Sequence, residues 1–199
     1  MVVRLIRNLD CQRLNFLIPE QFKKLLSLAP YRGLMLFAGP TGSGKTTTIY
    51  QLAKNYGSNK MIMTIEDPVE IIQNDFLQLQ INRKAGMNYQ QLLKVGLRHR
   101  PDIFIIGEIR DTYTAKAAIQ AALSGHLVLS TVHAQSPEGT VNRLLQLKVN
   151  EHYLRQCLNT IVYQRLLPTC HSEMGALFNI VTKDQLWKIS PRFFTIPIG

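Results

Sequence analysis

The chain has 199 residues with a formal net charge of +10, and 46% of its residues are hydrophobic and 18% charged. This balance is typical of one sizeable globular domain, and no apolar run approaches the roughly 20 residues of a membrane-spanning helix. Three widely spaced cysteines without a C-x-x-C pair make neither a disulfide framework nor a zinc site, so we expect a protein of the reducing cytoplasm.

The positive charge is uneven, because residues 1–60 hold nine Lys or Arg side chains against two acidic ones. A basic end of this kind can meet nucleic acid, anionic lipid or a neighbour's phosphates, or it can be a solvated face. The sequence shows neither an arginine-rich tract nor the stacked aromatic pattern of a nucleic-acid module. We therefore do not expect direct nucleic-acid binding, although charge alone leaves the alternatives open.

Residues 1–30 have the pattern of a strand at 2–6, a short helix that Pro19 breaks, and a second helix at 21–28. The basic opening strand has no partner nearby in the sequence. We interpret this segment as the remnant of a preceding domain and a linker.

A glycine-rich loop then fits the phosphate-binding pattern G-x-x-x-x-G-K-[ST]. An apolar run at residues 34–38 predicts a buried strand before the loop, and residues 46–56, which lack Gly and Pro, predict a helix after it. The glycines let backbone N–H groups turn around an anion, and the helix N-terminus adds partial positive charge. Lys45 would reach the β- and γ-phosphates of ATP, and the Thr46 hydroxyl would bind Mg²⁺. The predicted nucleotide-binding residues are Gly39, Pro40, Thr41, Gly42, Ser43, Gly44, Lys45, Thr46 and Thr47.

A second apolar run, residues 61–65, ends in the acidic turn Glu66-Asp67-Pro68-Val69-Glu70. Ligands of open parallel sheets lie beyond the carboxyl ends of the strands, where these carboxylates suit a metal or a water molecule. Asp-Pro is also common turn chemistry, so the stretch can equally cap the next segment. The sequence leaves both interpretations open.

Asn88 precedes a helical pattern that Pro101 ends. Lys94 and Arg98 share the face opposite its apolar stripe. These cations can lie near phosphate, or they can belong to a solvated face, which is the commoner situation.

Four large apolar residues at 103–106 predict a strand buried on both faces, and Gly107 and Glu108 follow it. An acid just past such a strand fits a Walker B site. Glu108 would there orient or deprotonate the attacking water.

Two histidines, His126 and His133, bracket a fourth predicted strand at 127–130, which follows an alanine-rich helix at 114–123. At the carboxyl end of the strand, His133 could donate a hydrogen bond to a γ-phosphate. A single histidine is more often a structural group. Only the repeated polar residues at strand ends favour the functional interpretation of His133.

The last part of the chain shows helical patterns first. One helix is predicted from Ser136, and a second over residues 151–166, which Pro168 stops. The apolar stripe of this second helix consists of Leu154, Cys157, Leu158, Ile161 and Val162. Beyond it, residues 176–181 and 187–189 are predicted as strands.

Four stretches, in this order, resemble the P-loop, Asp box, Walker B and His box of the type II secretion and type IV pilus ATPase superfamily. They are residues 39–46, 64–70, 107–111 and 125–133. The likeness covers residues 33–167 and ends in Tyr163-Gln164-Arg165-Leu166-Leu167, similar to the closing Q-R-L of the superfamily. Residues 78–82 and 97–102 add a closer likeness to its competence branch in Gram-positive bacteria.

The resemblance implies an α/β fold, namely a RecA-like P-loop NTPase core over residues 31–199 with a mostly parallel central sheet flanked by helices. It also implies a homo-hexamer in the full-length form. Such a ring associates peripherally with the inner face of the cell membrane, through a membrane platform protein of the pilus machinery. Mg-dependent ATP hydrolysis there drives assembly of a pilus or pseudopilus, which in the competence branch serves DNA uptake.

The resemblance also implies roles for individual residues. The implied catalytic residues are Glu66, Arg98, Glu108 and His133. Glu108 activates water, Glu66 helps to place it, His133 senses the γ-phosphate, and Arg98 faces the nucleotide across subunits. Asp67 is a second implied Mg²⁺ ligand besides Thr46, and His126 is implied to support His133.

Some positions depart from the superfamily. Lys94 stands where a second arginine is usual, and Arg100 stands where an acid is usual, which weakens inferences about subunit contacts. The four-cysteine metal module of many export ATPases is absent, so we expect no zinc. Members carry a further N-terminal domain that contributes arginines in trans, and residues 1–30 would be all that this chain has of it.

Three alternative functions remain open at the level of sequence. One is a DNA-stimulated RecA-like translocase, which the basic N-terminal portion favours. Another is a retraction or secretion ATPase of the same superfamily. The third is an assembly scaffold that binds nucleotide without hydrolysing it.

Overall fold

The computed structural model describes residues 15–57, 59–169 and 173–188, together with the backbone of residues 7 and 8. The strand predicted at residues 2–6 lies outside the described residues. The helices and strands, in chain order, are β1 (Arg7–Asn8), α1 (Pro19–Leu28), β2 (Gly33–Ala38), α2 (Lys45–Tyr56), β3 (Ile62–Glu66), β4 (Ile71–Ile72), β5 (Phe76–Gln80), α3 (Tyr89–Arg98), β6 (Ile103–Ile106), α4 (Thr112–Leu123), β7 (Leu127–Val132), α5 (Pro137–Gln146), α6 (Glu151–Cys157), β8 (Leu158–Pro168), β9 (Met174–Thr182) and α7 (Lys183–Lys188).

Seven strands form one sheet in the order β5-β3-β6-β7-β2-β8-β9. Every neighbouring pair is parallel except β8 with β9, which is antiparallel. β1 and β4 form a separate parallel pair. The predicted fold, a mostly parallel sheet flanked by helices, is confirmed. Because the strands run in one direction, the carboxyl ends of β2, β3, β6 and β7 meet at the same edge.

The four central strands are buried at every position, which explains their apolar runs. Alternate side chains face opposite sides of the sheet. On one side Leu34, Leu36 and Phe104 pack against α3 to α6, and on the other side Met35 and Phe37 pack against α1 and α2. The sheet therefore forms a rigid frame for the loops at its carboxyl edge.

Three helices begin at side chains that satisfy their first N–H groups. Asn88, Asp111 and Ser136 each accept a hydrogen bond from the backbone N–H three residues on, at 3.0, 2.8 and 3.0 Å. The predicted helix starts at Asn88 and Ser136 are confirmed. The cap at Asp111 lets α4 begin two residues earlier than predicted.

The helix predicted over residues 151–166 is wrong in its second half. α6 ends at Cys157, and β8 takes over at Leu158 between β2 and β9. The apolar residues of this stretch fit a helical stripe and a strand equally well, and pairing with two strands decides in favour of the strand. Pro168 therefore ends a strand and not a helix.

Two further predictions at the ends of the chain are wrong. Trp187 lies in α7 and not in a strand, with its ring 4.2 Å from the Arg155 guanidinium. Leu17 does not belong to a short helix, because its N–H donates to the carbonyl of Ala176 (3.0 Å) and α1 begins only at Pro19. Among the described residues, no helix is long and apolar enough to cross a membrane.

Candidate active site

Most of the residues predicted to bind nucleotide converge on a cleft of about 430 Å³ at the carboxyl edge of the sheet. The cleft lies over the ends of β2, β3, β6 and β7, as their parallel arrangement requires. The predicted residues in its wall are Thr41, Gly42, Gly44, Lys45, Thr46, Thr47, Glu66, Asp67, Glu108 and His133. Tyr50, Tyr89 and Arg110 also line the cleft, although no sequence motif predicts a role for them there.

The glycine-rich loop owes its shape to backbone conformations that side chains disfavour. Gly42 (φ 77°) and Gly44 (φ 80°) are left-handed. Gly39 has φ 143°, and a Cβ added to it would lie 2.3 Å from the carbonyl oxygen of Gln164. α2 begins directly after the loop at Lys45, so the N–H groups of its first turn, which have no intrahelical partner, open towards the cleft.

The ammonium group of Lys45 lies in the bend of this loop, and the residue is only 7% exposed. Its Nζ donates to the carbonyl oxygens of Gly39 (3.0 Å) and Pro40 (2.7 Å). Burial lowers the pKa of Lys45, while the Glu108 carboxylate acts in the opposite direction. A partly desolvated ammonium beside a helix N-terminus is a strong site for a phosphate group.

Glu108 and His133 are neighbours because β6 and β7, which they follow, pair in parallel register. Nε2 of His133 lies 3.6 Å from Oε1 of Glu108, and both side chains keep access to solvent in the cleft. The Thr131 hydroxyl donates to the carbonyl of Gly107 (2.8 Å), which fixes the two strand ends against each other. The pair combines a proton acceptor with a hydrogen-bond donor at one point of the cleft.

Glu66 is 4% exposed and its carboxylate is held from two sides. Its Oε1 accepts hydrogen bonds from the Thr64 hydroxyl (2.6 Å) and from Nε2 of Gln78 (3.1 Å). Gln78 also donates to the carbonyl of Ile71 (3.0 Å), so it joins Glu66 to β4. Burial and the adjacent Glu66 carboxylate raise the pKa of Tyr50. The local sequence around Gln78 does not indicate this contact, because it depends on the pairing of β3 with β5.

Asp67 is engaged by two guanidinium groups. Its Oδ2 lies 2.8 Å from Arg110 and 3.2 Å from Arg83. The contacts tie the acidic turn after β3 to the loop after β6 and to the turn after β5. A Mg²⁺ ion at Asp67 would have to compete with both arginines, which favours the structural interpretation of this carboxylate.

The donor set of the cleft fits Mg²⁺ bound with a nucleotide. Thr46 contributes a hydroxyl, which is a hard oxygen donor, at the phosphate loop. Among the described residues, no three His, Cys, Asp or Glu side chains are grouped so as to hold a metal ion. Mg²⁺ does not require such a cage, because one or two protein oxygens with phosphates and water complete its shell.

Gly39, Pro40 and Ser43 belong to the loop but do not line the cleft, and two predicted residues outside the loop lie away from it. Arg98 is exposed near the end of α3, which runs from the carboxyl edge of the sheet back to the amino end of β6. His126 precedes β7, and its carbonyl accepts the N–H of Gly33 (2.9 Å) at the amino end of β2. A strand of six residues separates it from His133, a span of about 20 Å. The expectation that His126 supports His133 at the phosphate is therefore wrong within one chain.

Comparison with known sequences relates the chain to one family. A family model described as Type II/IV secretion system protein matches residues 1–191. Competence protein ComGA of Streptococcus pneumoniae is 48% identical over 167 residues, which are 84% of this chain and 53% of that protein. ComGA of Bacillus subtilis is 44% identical over 170 residues, 81% of this chain and 48% of that protein. The chain thus spans about half the length of these relatives.

Two solved structures have a fold similar to that of this chain. The pilus retraction motor PilT with bound ADP is 29% identical, with a TM-score of 0.70, covering 92% of this chain and 55% of PilT. The ATPase DotB of Legionella pneumophila is 26% identical with a TM-score of 0.72, over 89% of this chain and 53% of its own.

Proposed function

Because the chain belongs to the family of type II/IV secretion system proteins, we propose that it is the ATP-hydrolysing part of a motor that assembles a pilus-like filament. The observation that carries the proposal is the meeting of a phosphate loop with a carboxylate–histidine pair in a single cleft. Similarity to competence proteins supports a competence pseudopilus, used in DNA uptake, as the filament. Similarity to PilT supports the alternative of a retraction motor.

Binding of ATP follows from the loop and the helix behind it. The N–H groups around Gly42 and Gly44 and the N-terminus of α2 surround the phosphates, and Lys45 contributes the positive charge. The Thr46 hydroxyl would hold Mg²⁺, which would neutralise the charge that develops on the phosphate oxygens.

Hydrolysis requires a water molecule aligned behind the γ-phosphorus. Glu108 accepts a proton from that water while the water oxygen bonds to the γ-phosphorus. The bond from the γ-phosphorus to the bridging β–γ oxygen breaks, which releases ADP and phosphate. His133 donates a hydrogen bond to a γ-phosphate oxygen, and its separation of 3.6 Å from Glu108 supports this role. Glu66, held by Thr64 and Gln78, orients the water from the side of β3.

We also propose that the full-length protein acts as a hexameric ring, bound peripherally at the cytoplasmic face of the membrane through a platform protein. The position of Arg98 supports this arrangement, because it is exposed and lies at the end of the sheet opposite to the cleft of its own chain, where another subunit could approach it. In other phosphoryl-transfer enzymes, such an arginine stabilises transition-state charge and raises kcat by about 10³–10⁵-fold. Residues 31–199 would form the ATPase domain together with α1, whose Leu25 is fully buried against β2.

ATP binding by calorimetry and phosphate release test the proposal together. We expect Lys45→Ala to lose ATP binding. We expect Glu108→Gln to keep binding and to lower phosphate release at least ~100-fold, as removal of a general base does. The matched controls are Lys116→Ala and Glu20→Gln, since both side chains are exposed outside the cleft.

Other outcomes would point to the alternatives. Unchanged ATP affinity in Lys45→Ala would remove the assignment of the phosphate loop. Tight binding with no release that depends on Glu108 would indicate a scaffold. Release stimulated by DNA, with a steep salt dependence, would indicate a translocase.

A further inference from the structure

The segment Tyr163-Gln164-Arg165-Leu166-Leu167 runs along the phosphate loop. β8 pairs in parallel with β2, and Tyr163 lies opposite Ala38, the last residue of β2. The next residue along, Gln164, is therefore beside the start of the loop at Gly39. It is fully buried, with 0% of its surface exposed.

Gln164 contacts the loop at two points. Its side-chain Nε2 donates to the carbonyl oxygen of Ser43 at 2.6 Å, although 121 residues separate the two in sequence. Its own carbonyl oxygen closes the space beside Gly39, where an added Cβ would lie 2.3 Å away. The loop is thus held by β8 on one side, while Lys45 binds the carbonyls of Gly39 and Pro40 on the other.

The direction of the Ser43 carbonyl decides what the loop offers to a ligand. In a planar trans peptide, the C=O of one residue and the N–H of the next point in opposite directions. A Ser43 carbonyl turned towards Gln164 therefore turns the N–H of Gly44 away from β8. Gly44 lines the cleft, so this N–H faces the space where phosphates would bind.

Burial alone does not favour a glutamine at this position. Its Oε1 and the neighbouring Ser43 hydroxyl are both buried, and neither finds a hydrogen-bond partner in the described part of the chain. Unpaired buried polar atoms are costly, and an apolar side chain of the same length would avoid the cost at Oε1. The contact that distinguishes glutamine from such a side chain is the bond from Nε2 to Ser43.

We propose that Gln164 is a positioning residue, which holds the Ser43 carbonyl against β8 and thereby keeps the Gly44 N–H directed at the bound phosphates. The inference rests on the nucleotide site of the proposed function. Gln164 itself touches no reacting atom. Its loss weakens binding of any nucleotide with a β-phosphate and leaves the Glu108 chemistry intact.

The test replaces Gln164 with methionine, which has similar length and flexibility but no N–H donor. Asn159→Leu is the matched control. Asn159 lies on the same strand, and its Nδ2 donates to the carbonyl of Arg32 (2.8 Å) at the end away from the phosphate loop. Each variant removes one bond from an amide side chain of β8 to a backbone carbonyl. Gln164→Leu is a second variant without the donor, and the two Gln164 variants must agree.

We expect Gln164→Met to raise the Kd of both ATP and ADP about tenfold, because a tenfold change corresponds to the free energy of about one buried hydrogen bond. The turnover rate at saturating ATP should change less than about twofold. Asn159→Leu should leave both Kd values within about twofold of wild type. Equal nucleotide affinities in the Gln164 and Asn159 variants would overturn the proposal.

Hydrogen exchange of the nucleotide-free protein provides a readout that does not depend on activity. Amides of the loop, residues 39–46, should exchange about tenfold faster in Gln164→Met than in wild type or Asn159→Leu. Failure of the wild type to bind nucleotide would refute the proposed function, and this exchange would still decide whether Gln164 holds the loop. Equal exchange in all three proteins would overturn the inference even if nucleotide binds normally.

Discussion

Replacing Thr64 with valine removes one of the two hydrogen bonds that hold the Glu66 carboxylate. The Thr64 hydroxyl is fully buried and donates to Oε1 of Glu66 at 2.6 Å. A hydrogen bond to a charged group contributes about 1.5–3 kcal/mol to the free energy of unfolding, and the added methyl group returns about 0.8 kcal/mol. We therefore expect Thr64→Val to lower the free energy of unfolding by about 1–2 kcal/mol.

Thr140→Val is the matched control for this prediction. Thr140 is also fully buried, but its hydroxyl donates to a neutral acceptor, the carbonyl of Ser136 (3.0 Å). A neutral hydrogen bond contributes about 0.5–1.5 kcal/mol, so after the gain from the methyl group the net change should stay within about 0.7 kcal/mol.

Urea unfolding of both variants measures the difference, which should appear in the midpoint without a change in slope. In a Glu66→Gln background, Thr64→Val should cost no more than the control, because the charged acceptor is gone. Equal costs for Thr64→Val and Thr140→Val in the native background would refute the reasoning. The Glu66 carboxylate would then not depend on Thr64 for its position.

Two further predictions concern stability. Asp111→Ala removes the cap of α4 and should cost about 1 kcal/mol at neutral pH. Burial opposes ionisation of Asp111, but hydrogen bonds from Thr114 outweigh it and lower the pKa, so the benefit is present above pH 3.8 and is lost as the pH falls through the lower folded pKa. Unfolding curves of the two proteins should converge in acid, and a constant gap would contradict this. Gly96→Ala should lower the melting temperature, because the new Cβ would lie 2.7 Å from Phe104 and 2.8 Å from Met63. Such overpacking costs about 1–3 kcal/mol, which exceeds the gain of about 0.5–1 kcal/mol from the higher helix propensity of alanine. A raised melting temperature would refute this prediction.

The parts of the fold that could be predicted from sequence are those with local causes. The strand at residues 103–106 is a continuous apolar run because a central parallel strand is buried on both faces. The loop at residues 39–46 carries its own glycines, and Asn88 and Ser136 cap helices within three residues of themselves. In each of these, the residues that determine the structure are neighbours in the chain.

The errors and omissions have long-range causes. Residues 158–166 form a strand because β2 and β9 flank them, and neither partner is visible in the local pattern. β5 has polar residues at alternate positions, and its local pattern does not predict a strand. The contact of Gln78 with Glu66 depends on this strand, so the local pattern does not predict the contact either. The contact of Gln164 with Ser43 joins β8 to the phosphate loop, which lies 121 residues away in sequence. Such contacts depend on sheet order, which composition and periodicity do not contain.

The most direct measurement of the central claim is ATP turnover per chain as a function of protein concentration, with Glu108→Gln as the blank. The account predicts phosphate release that depends on Glu108. It also predicts a turnover per chain that rises with concentration, as subunits come together and Arg98 of one chain reaches the cleft of another. Release that is the same in wild type and Glu108→Gln at every concentration would contradict the account, because the cleft would then not be the site of hydrolysis.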